Sequence, residues 1–347
     1  MFIDSNVRSF KMCLIFNRDS AEDPVRPVIP LLYSSRRYTD PNSTGGLQAT
    51  GLQETYEDLA TALKLVEYEL HRWKVVCDFK VLNKLLGLNG SWCAEPCLFC
   101  RWRSRATVDQ HYAKIGTWKK RKVVDDRLVK DKVSVLFACQ IPVSKVLLPT
   151  LHIKLGVMSQ FVKSLFPYEK NVGSTTVKRS GNANAINFLQ DFFLEKTDDK
   201  IKAGTFTGPD IRRLMKSSVF PKKLKRQEKK AWSAFCDLCV NFFGNKKAAN
   251  YRQMINNLRK AFEDNHVLMS LKTHILFEHP ECFPVSCGGY GEEQGENLHQ
   301  ETSVFERRFK DKTESMIVNY AYSKVLEGEI KLARKPKNSK RFFNRTV

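Results

Sequence analysis

The sequence predicts an α/β half followed by an all-α segment, and three observations carry that prediction. Up to Gly90, strand-like and helix-like apolar patterns follow the order strand, strand, strand, helix, strand, helix, the signature of an α/β arrangement. Beyond Thr150 the strand patterns stop and helical periodicities succeed one another. Two acids, Asp4 and Asp78, each close an apolar strand, the usual place for chemistry in such sheets.

In chain order, Phe2-Ile3-Asp4 is a short apolar run ending in an acid. Phe10, Met12, Leu14 and Phe16 alternate within Arg8 to Phe16, the period of a half-buried strand. Arg26 to Tyr33 reads as a third strand whose prolines favour a sheet edge. Thr39 to Gly51 is a loop by composition, and Glu54 to Arg72 carries an amphipathic helical stripe. Trp73 to Asp78 is a buried strand, and Lys80 to Leu88 starts a helix that Gly87 and Gly90 help to close. Helices are then expected at 151–165, 184–196, 208–217, 226–243, 251–265 and 267–277. They make a segment of about 130 residues, the size of one ordinary domain. The expected division is 1–150, 151–285 for the helical insertion, 286–330 for a helix completing the first part, and a basic tail at 331–347.

Charge restricts the partners. With 58 Lys and Arg against 37 Asp and Glu, the formal net charge is +21, a field that attracts polyanions, nucleic acid foremost. No secretory h-region and no run of membrane-spanning length appears, so the expected location is nuclear or cytoplasmic, without a membrane partner. The 10 cysteines then read as reduced thiols or metal ligands before disulfides.

Cys97-Leu98-Phe99-Cys100 is a C-x2-C, with Cys93 before it and His111 after it. Thiolates from a tight turn plus an imidazole suit tetrahedral Zn²⁺, with the fourth ligand open to Cys93, His152 or a distant residue. The plain alternative is a buried thiol cluster. Cys236 and Cys239 share the spacing but sit among apolar residues at helical intervals, and read as core filler. Near the C-terminus, Gly288 to Gln300 sets Glu292, Glu293, Glu296 and His299 on successive turns of a starting helix. Two strand-end aspartates and one helix-borne glutamate suffice to hold Mg²⁺ or Mn²⁺ for phosphodiester chemistry.

Several blocks resemble a multicopy transposon-derived protein family of invertebrate genomes. They are FIDSNVRSFK from Phe2, HRWKVVCDFKVLNKLLGLNG from His71, CLFCRWRSRATVDQHY from Cys97, LLPTLHIKLGVMSQFVKSL from Leu147, KAGTFTGPDIRRLM from Lys202, MSLKTHILFEHPECFP from Met269 and EEQGENLHQETSVFERRF from Glu292. That family is similar to hAT-like DDE transposases. The resemblance implies a ribonuclease H-like mixed sheet core interrupted by a large helical insertion, with a Cys/His element between. It implies Asp4, Asp78 and Glu296 as the acids, Glu293 competing for the third place, and DNA as the partner. It assigns Cys97, Cys100 and His111 to the Cys/His element. Only Met1, Phe2 and Ile3 precede Asp4, so the expectation is a truncated, catalytically dormant core lacking the domain that recognises transposon ends. The alternatives are a non-enzymatic nucleic-acid-binding or scaffold protein of the same origin, or a metal-dependent nuclease unrelated to transposition. A homo-oligomer is compatible with each.

Overall fold

Five strands pair into one mixed sheet: β1 (Phe2–Ser5), β2 (Ser9–Ile15), β3 (Val28–Ser35), β4 (Val75–Cys77) and β5 (Val146–Leu147). Their spatial order is β3-β2-β1-β4-β5. β2 runs antiparallel to both β1 and β3, while β4 is parallel to β1 and β5 parallel to β4. The structure is a computed structural model that describes residues 1–5, 9–15, 28–35, 37–38, 49–50, 52–90, 93–103, 118–130, 134–172, 175–308, 316, 319, 320 and 323.

Alternation along the strands sends side chains to two covered faces. Ile3, Phe10, Met12, Val75 and Cys77 join the main core, whereas Phe2, Cys13 and Val76 form a smaller cluster on the opposite face. Both faces are buried, so the Phe2-Ile3 start of β1 and the whole of β4 read as continuous apolar runs. β3 lies at the sheet edge, where Pro30 costs no ladder donor, and the β2–β3 register shifts between Met12 and Cys13.

Twelve α-helices are described. α1 (Tyr56–Leu65), α2 (Tyr68–His71) and α3 (Phe79–Leu85) belong to the sheet half. α4 (Thr150–Leu165), α5 (Ala183–Phe192), α6 (Asp198–Lys202), α7 (Gly208–Met215), α8 (Phe220–Lys223), α9 (Arg226–Asn241), α10 (Tyr251–Asp264) and α11 (Leu271–Glu278) make the helical segment, and α12 (Glu293–Arg308) returns to the sheet. The chain is therefore mixed α/β with a large helical part. The single helix expected over 54–72 is broken by Glu67 at φ 51. No Gly or Pro interrupts that stretch. Burial of Tyr68, whose hydroxyl donates to the Trp73 carbonyl at 3.0 Å, outweighs local helix propensity.

An aromatic core holds the helical segment: Phe161, Phe193, Phe220, Phe235, Phe242 and Phe262 are fully buried, and Trp232 meets Phe220 edge-on with centroids 5.0 Å apart. A two-stranded ribbon, β6 (Tyr168–Val172) with β7 (Thr175–Arg179), lies between α4 and α5. Among the described residues no helix is long and apolar enough to cross a membrane.

α12 packs on the Phe2, Cys13 and Val76 face through Leu298. Glu306 takes the buried Lys11 ammonium at 2.8 Å and the Ser9 hydroxyl at 2.5 Å, anchoring the helix to β2. Gly295 permits the approach, because a Cβ there would lie 2.3 Å from the Phe2 ring. Gly295→Ala should raise intrinsic helix propensity by about 1 kcal/mol. The overlap should nevertheless dominate, with a net loss of about 1–3 kcal/mol in urea unfolding. An unchanged or higher midpoint would mean that α12 does not press on β1.

Candidate functional site

The register of β1 against β4 places the two strand-end acids together. Phe2 pairs with Val76 and Ile3 with Cys77 in a parallel ladder, so continuing it by one step brings Asp4 toward Asp78, which the Asp4 charge reaches. By the same alternation both belong to the face that α12 covers. Asp78 is also the N-cap of α3, its Oδ1 accepting from the Val81 N–H at 2.8 Å, which fixes one carboxylate oxygen. Burial pushes the Asp78 carboxyl up, and the charges of Glu54 and Asp4 add to that, against the Val81 hydrogen bond.

α12 supplies the rest. Glu296 is raised from the ordinary carboxylate range by burial first and by Asp4 next, opposed by His152 and His299. His299, one turn on, places Nδ1 on Asp4 Oδ2. His152 on α4 lies between two glutamates, with Nδ1 3.0 Å from Glu292 Oε1 and Nε2 3.6 Å from Glu296 Oε1. Glu292 is fully buried and also accepts the His152 backbone N–H at 2.8 Å, satisfying a free donor in the first turn of α4. Burial lowers the His152 pKa, but Glu292 and Glu296 outweigh it and the net shift is upward. Glu293 faces elsewhere: its carboxylate pairs with Arg212 of α7 at 2.9 Å, half-exposed. Of the acids expected from the sequence, Asp4 lies within electrostatic reach of both Asp78 and Glu296, with Glu292, His152 and His299 nearby, but the three are not among the described residues whose ligand atoms gather within 4.8 Å. Beside Asp78 opens a cleft of about 530 Å³ whose lining includes His152 and Lys272.

A second constellation joins the turn after α3 to the end of the helical segment. The ligand atoms of Cys97, Cys100, His274 and His279, all buried, fall within 4.8 Å of one another. Among the described residues this is the one group of metal-ligating side chains so tightly gathered, and it could hold a metal ion. Cys97 and Cys100 come from the turn after α3, where Arg121 clamps the carbonyls of Cys97 and Glu95 at 2.8 Å each. His274 sits in α11 and His279 is its C-cap. Both Nε2 atoms lie 3.3 Å from Cys100 Sγ. Zinc bonds of about 2.3 Å to sulfur and 2.05 Å to nitrogen at a tetrahedral angle would separate those atoms by roughly 3.5 Å. Trp102 stacks on the His274 ring at 4.3 Å and 9°, and Phe99 tilts against His279 at 5.1 Å.

The thiols are electrostatically unlike. Burial raises Cys97, but hydrogen bonds from Cys100 and from the Phe99 and Cys100 backbone N–H groups, with the Arg121 charge, bring it below its ordinary value. Cys100 is pushed up to about 11 by its hydrogen bond to Cys97 and by burial, against the pull of His274 and His279. Burial lowers the His274 pKa, keeping the imidazole neutral as a ligand must be.

This corrects the expected ligand set in part. Neither Cys93 nor His152 belongs to the group: Cys93 is only half-buried before the turn, and His152 is engaged by Glu292 and Glu296. His111 lies outside the described residues. His274 and His279 went unnoticed in sequence although their H-x4-H spacing is a ligand spacing. Their distance from the cysteines hid the pairing. Cys236 and Cys239 pack against the main core with thiols pushed by burial up to about 12, as filler would be.

Two family models match the chain, both described as domains of unknown function: DUF8703 over residues 1–135 and DUF8704 over residues 150–244. The first spans β1 to β4 and the cysteine turn, and the second opens where α4 begins. No curated protein and no solved structure matches the chain.

Proposed function

We propose that the protein is a transposase-derived DNA-binding protein with a ribonuclease H-like core whose Asp4, Asp78 and Glu296 form a DDE-type site. The observation that carries the reading is the parallel β1–β4 register, continued one step to Asp4 and Asp78, with the Asp4 charge acting on both Asp78 and Glu296. The order β3-β2-β1-β4-β5, with β2 alone antiparallel, agrees with a ribonuclease H-like sheet. Burial and the Asp4 charge raise both Asp78 and Glu296, and one oxygen of buried Glu292 has no hydrogen-bond partner. The crowded carboxyls disfavour one another's ionised forms, which a divalent cation would relieve.

Asp4, Asp78 and Glu296 would hold Mg²⁺ or Mn²⁺, which supplies an activated water or 3′-hydroxyl and charge stabilisation for phosphodiester cleavage or transfer. The chain's own part is to hold these carboxylates on rigid elements, with Asp78 fixed by the α3 cap and Glu296 by the buried Lys11–Glu306 anchor. The net charge of +21 suits a polyanionic partner, in nucleus or cytoplasm. For the Cys/His group we assign structural Zn²⁺, because two thiols and two imidazoles form a closed tetrahedral donor set.

Purified protein should bind duplex DNA with steep salt dependence and nick supercoiled plasmid in Mn²⁺, with nicking abolished by Asp78→Asn. One observation favours a second reading, a non-enzymatic DNA-binding scaffold of the same origin: His299 already sits on Asp4. DNA binding without nicking and without Mn²⁺ affinity would select it.

A further inference from the structure

The cleft beside Asp78 is walled by Lys80, by α4 from His152 to Gln160, and by Ser270 and Lys272 at the start of α11. Its two lysines differ. Lys80 is paired with Glu54. Lys272 has no ion-pair partner among the described residues; burial lowers its pKa, against the charges of Asp78 and Glu292, which favour the ammonium.

The direction of Lys272 is built in. Its stem crosses α4 at Gly156, where a Cβ would lie 2.3 Å from Lys272 Cδ. Only a residue without a side chain leaves that path open. α4 also packs on α11, which carries the lysine. A half-buried cation held against a helix in the wall of a cleft is a preformed receptor for an anion. The cleft volume of about 530 Å³ falls within the ligand-pocket span of about 300–1,000 Å³. It therefore takes a short stretch of one strand and not a duplex.

We propose that this cleft receives the sugar-phosphate backbone of a DNA strand and that Lys272 is the ionic contact for the phosphate next to the acids. The inference rests on the DNA reading above and adds the residue and the path. The bland alternative is that Lys272 merely offsets the charge of Asp78 and Glu292, in which case stability would change and DNA binding would not.

The test is fluorescence anisotropy of a labelled duplex with a single-stranded overhang, titrated across salt without added divalent metal. Each neutralised phosphate contributes about 0.7–0.9 to the log–log salt slope. Lys272→Gln should lower the slope by about that amount and weaken binding about 3–10-fold near 0.1 M salt, while Lys272→Arg keeps both near wild type. Gly156→Ala retains the lysine but obstructs its path, and should weaken binding in the same direction on a chain whose α4 propensity has improved. It also reads out the proposal should Lys272→Gln fail to fold. Wild-type slope and affinity in folded Lys272→Gln, or in folded Gly156→Ala where Lys272→Gln does not fold, would overturn the assignment while leaving DNA binding intact. A wild-type chain that ignores the duplex at every salt concentration removes the underlying reading, and this one with it.

Discussion

Cys97→Ser combined with Cys100→Ser is expected to release one equivalent of zinc per chain and to destabilise the protein by more than about 4 kcal/mol. Losses of that size are reached when a structural metal or a comparable buried network is removed. The expectation follows from where the four ligands lie. Cys100 and His274 are 174 residues apart in sequence, so the group joins the turn after α3 to the last helix before α12. Without a cation, the buried cluster holds a thiol forced up to about 11 beside a neutral buried imidazole. With one, both thiols ionise and the imidazoles gain a partner at Nε2. Binding free energy at such sites is folding free energy, about 10–16 kcal/mol in isolated zinc-finger peptides. Elemental analysis of the purified chain, and urea unfolding with and without a chelator, check it. Because the ligands must lose protons to bind, metal should also leave as pH falls. Equal stability of the metal-free and wild-type proteins would make the group a plain cluster of buried thiols.

Much of this arrangement was legible in the sequence where local pattern and burial agree. Phe10 and Met12 alternate because β2 has one face on the main core, and Phe2-Ile3 of β1 and all of β4 are apolar because both faces are covered there. Asp4 and Asp78 stood out because an acid after an apolar strand marks the strand's end. What stayed hidden depends on contacts between distant segments. β5 is only two residues, Val146–Leu147, too short for any periodicity to announce it. The break at Glu67 is dictated by the burial of Tyr68, which no local propensity reports. His274 and His279 carry a ligand spacing but none of the proximity to Cys97 and Cys100 that a compact zinc finger shows, so only the fold joins them. The third acid was ambiguous between Glu293 and Glu296 because both lie in the first turn of one helix. In the fold Glu293 pairs with Arg212, whereas Glu296 lies 3.6 Å from His152 Nε2 and feels the Asp4 charge.

Glu296→Gln is expected to abolish Mn²⁺ binding and, in the metal-free protein, to raise the thermal midpoint near neutral pH. Asp4 is the less clean choice, since replacing it also removes the contact with His299. Glu296 is raised by burial and by Asp4, and Asp78 by burial with Glu54 and Asp4. A carboxyl whose folded pKa lies above its unfolded value binds its proton more tightly in the folded state. Its stabilising contribution is therefore complete below the ordinary carboxylate range and is lost as pH rises through the raised value. Near pH 7 the ionised Glu296 is a cost that the amide does not carry, so the midpoint should rise by about 1–3 °C and the gain should vanish near pH 4. Metal reverses the comparison. Groups that only orient a metal ligand already contribute about 10–100-fold to affinity, so losing a ligand should weaken Mn²⁺ binding by at least about 100-fold. Calorimetric titration with Mn²⁺ and thermal scans from pH 4 to 8 read both effects. A variant that binds Mn²⁺ like wild type, or that melts lower than wild type at neutral pH, would take Glu296 out of the acidic site and leave the scaffold reading in possession.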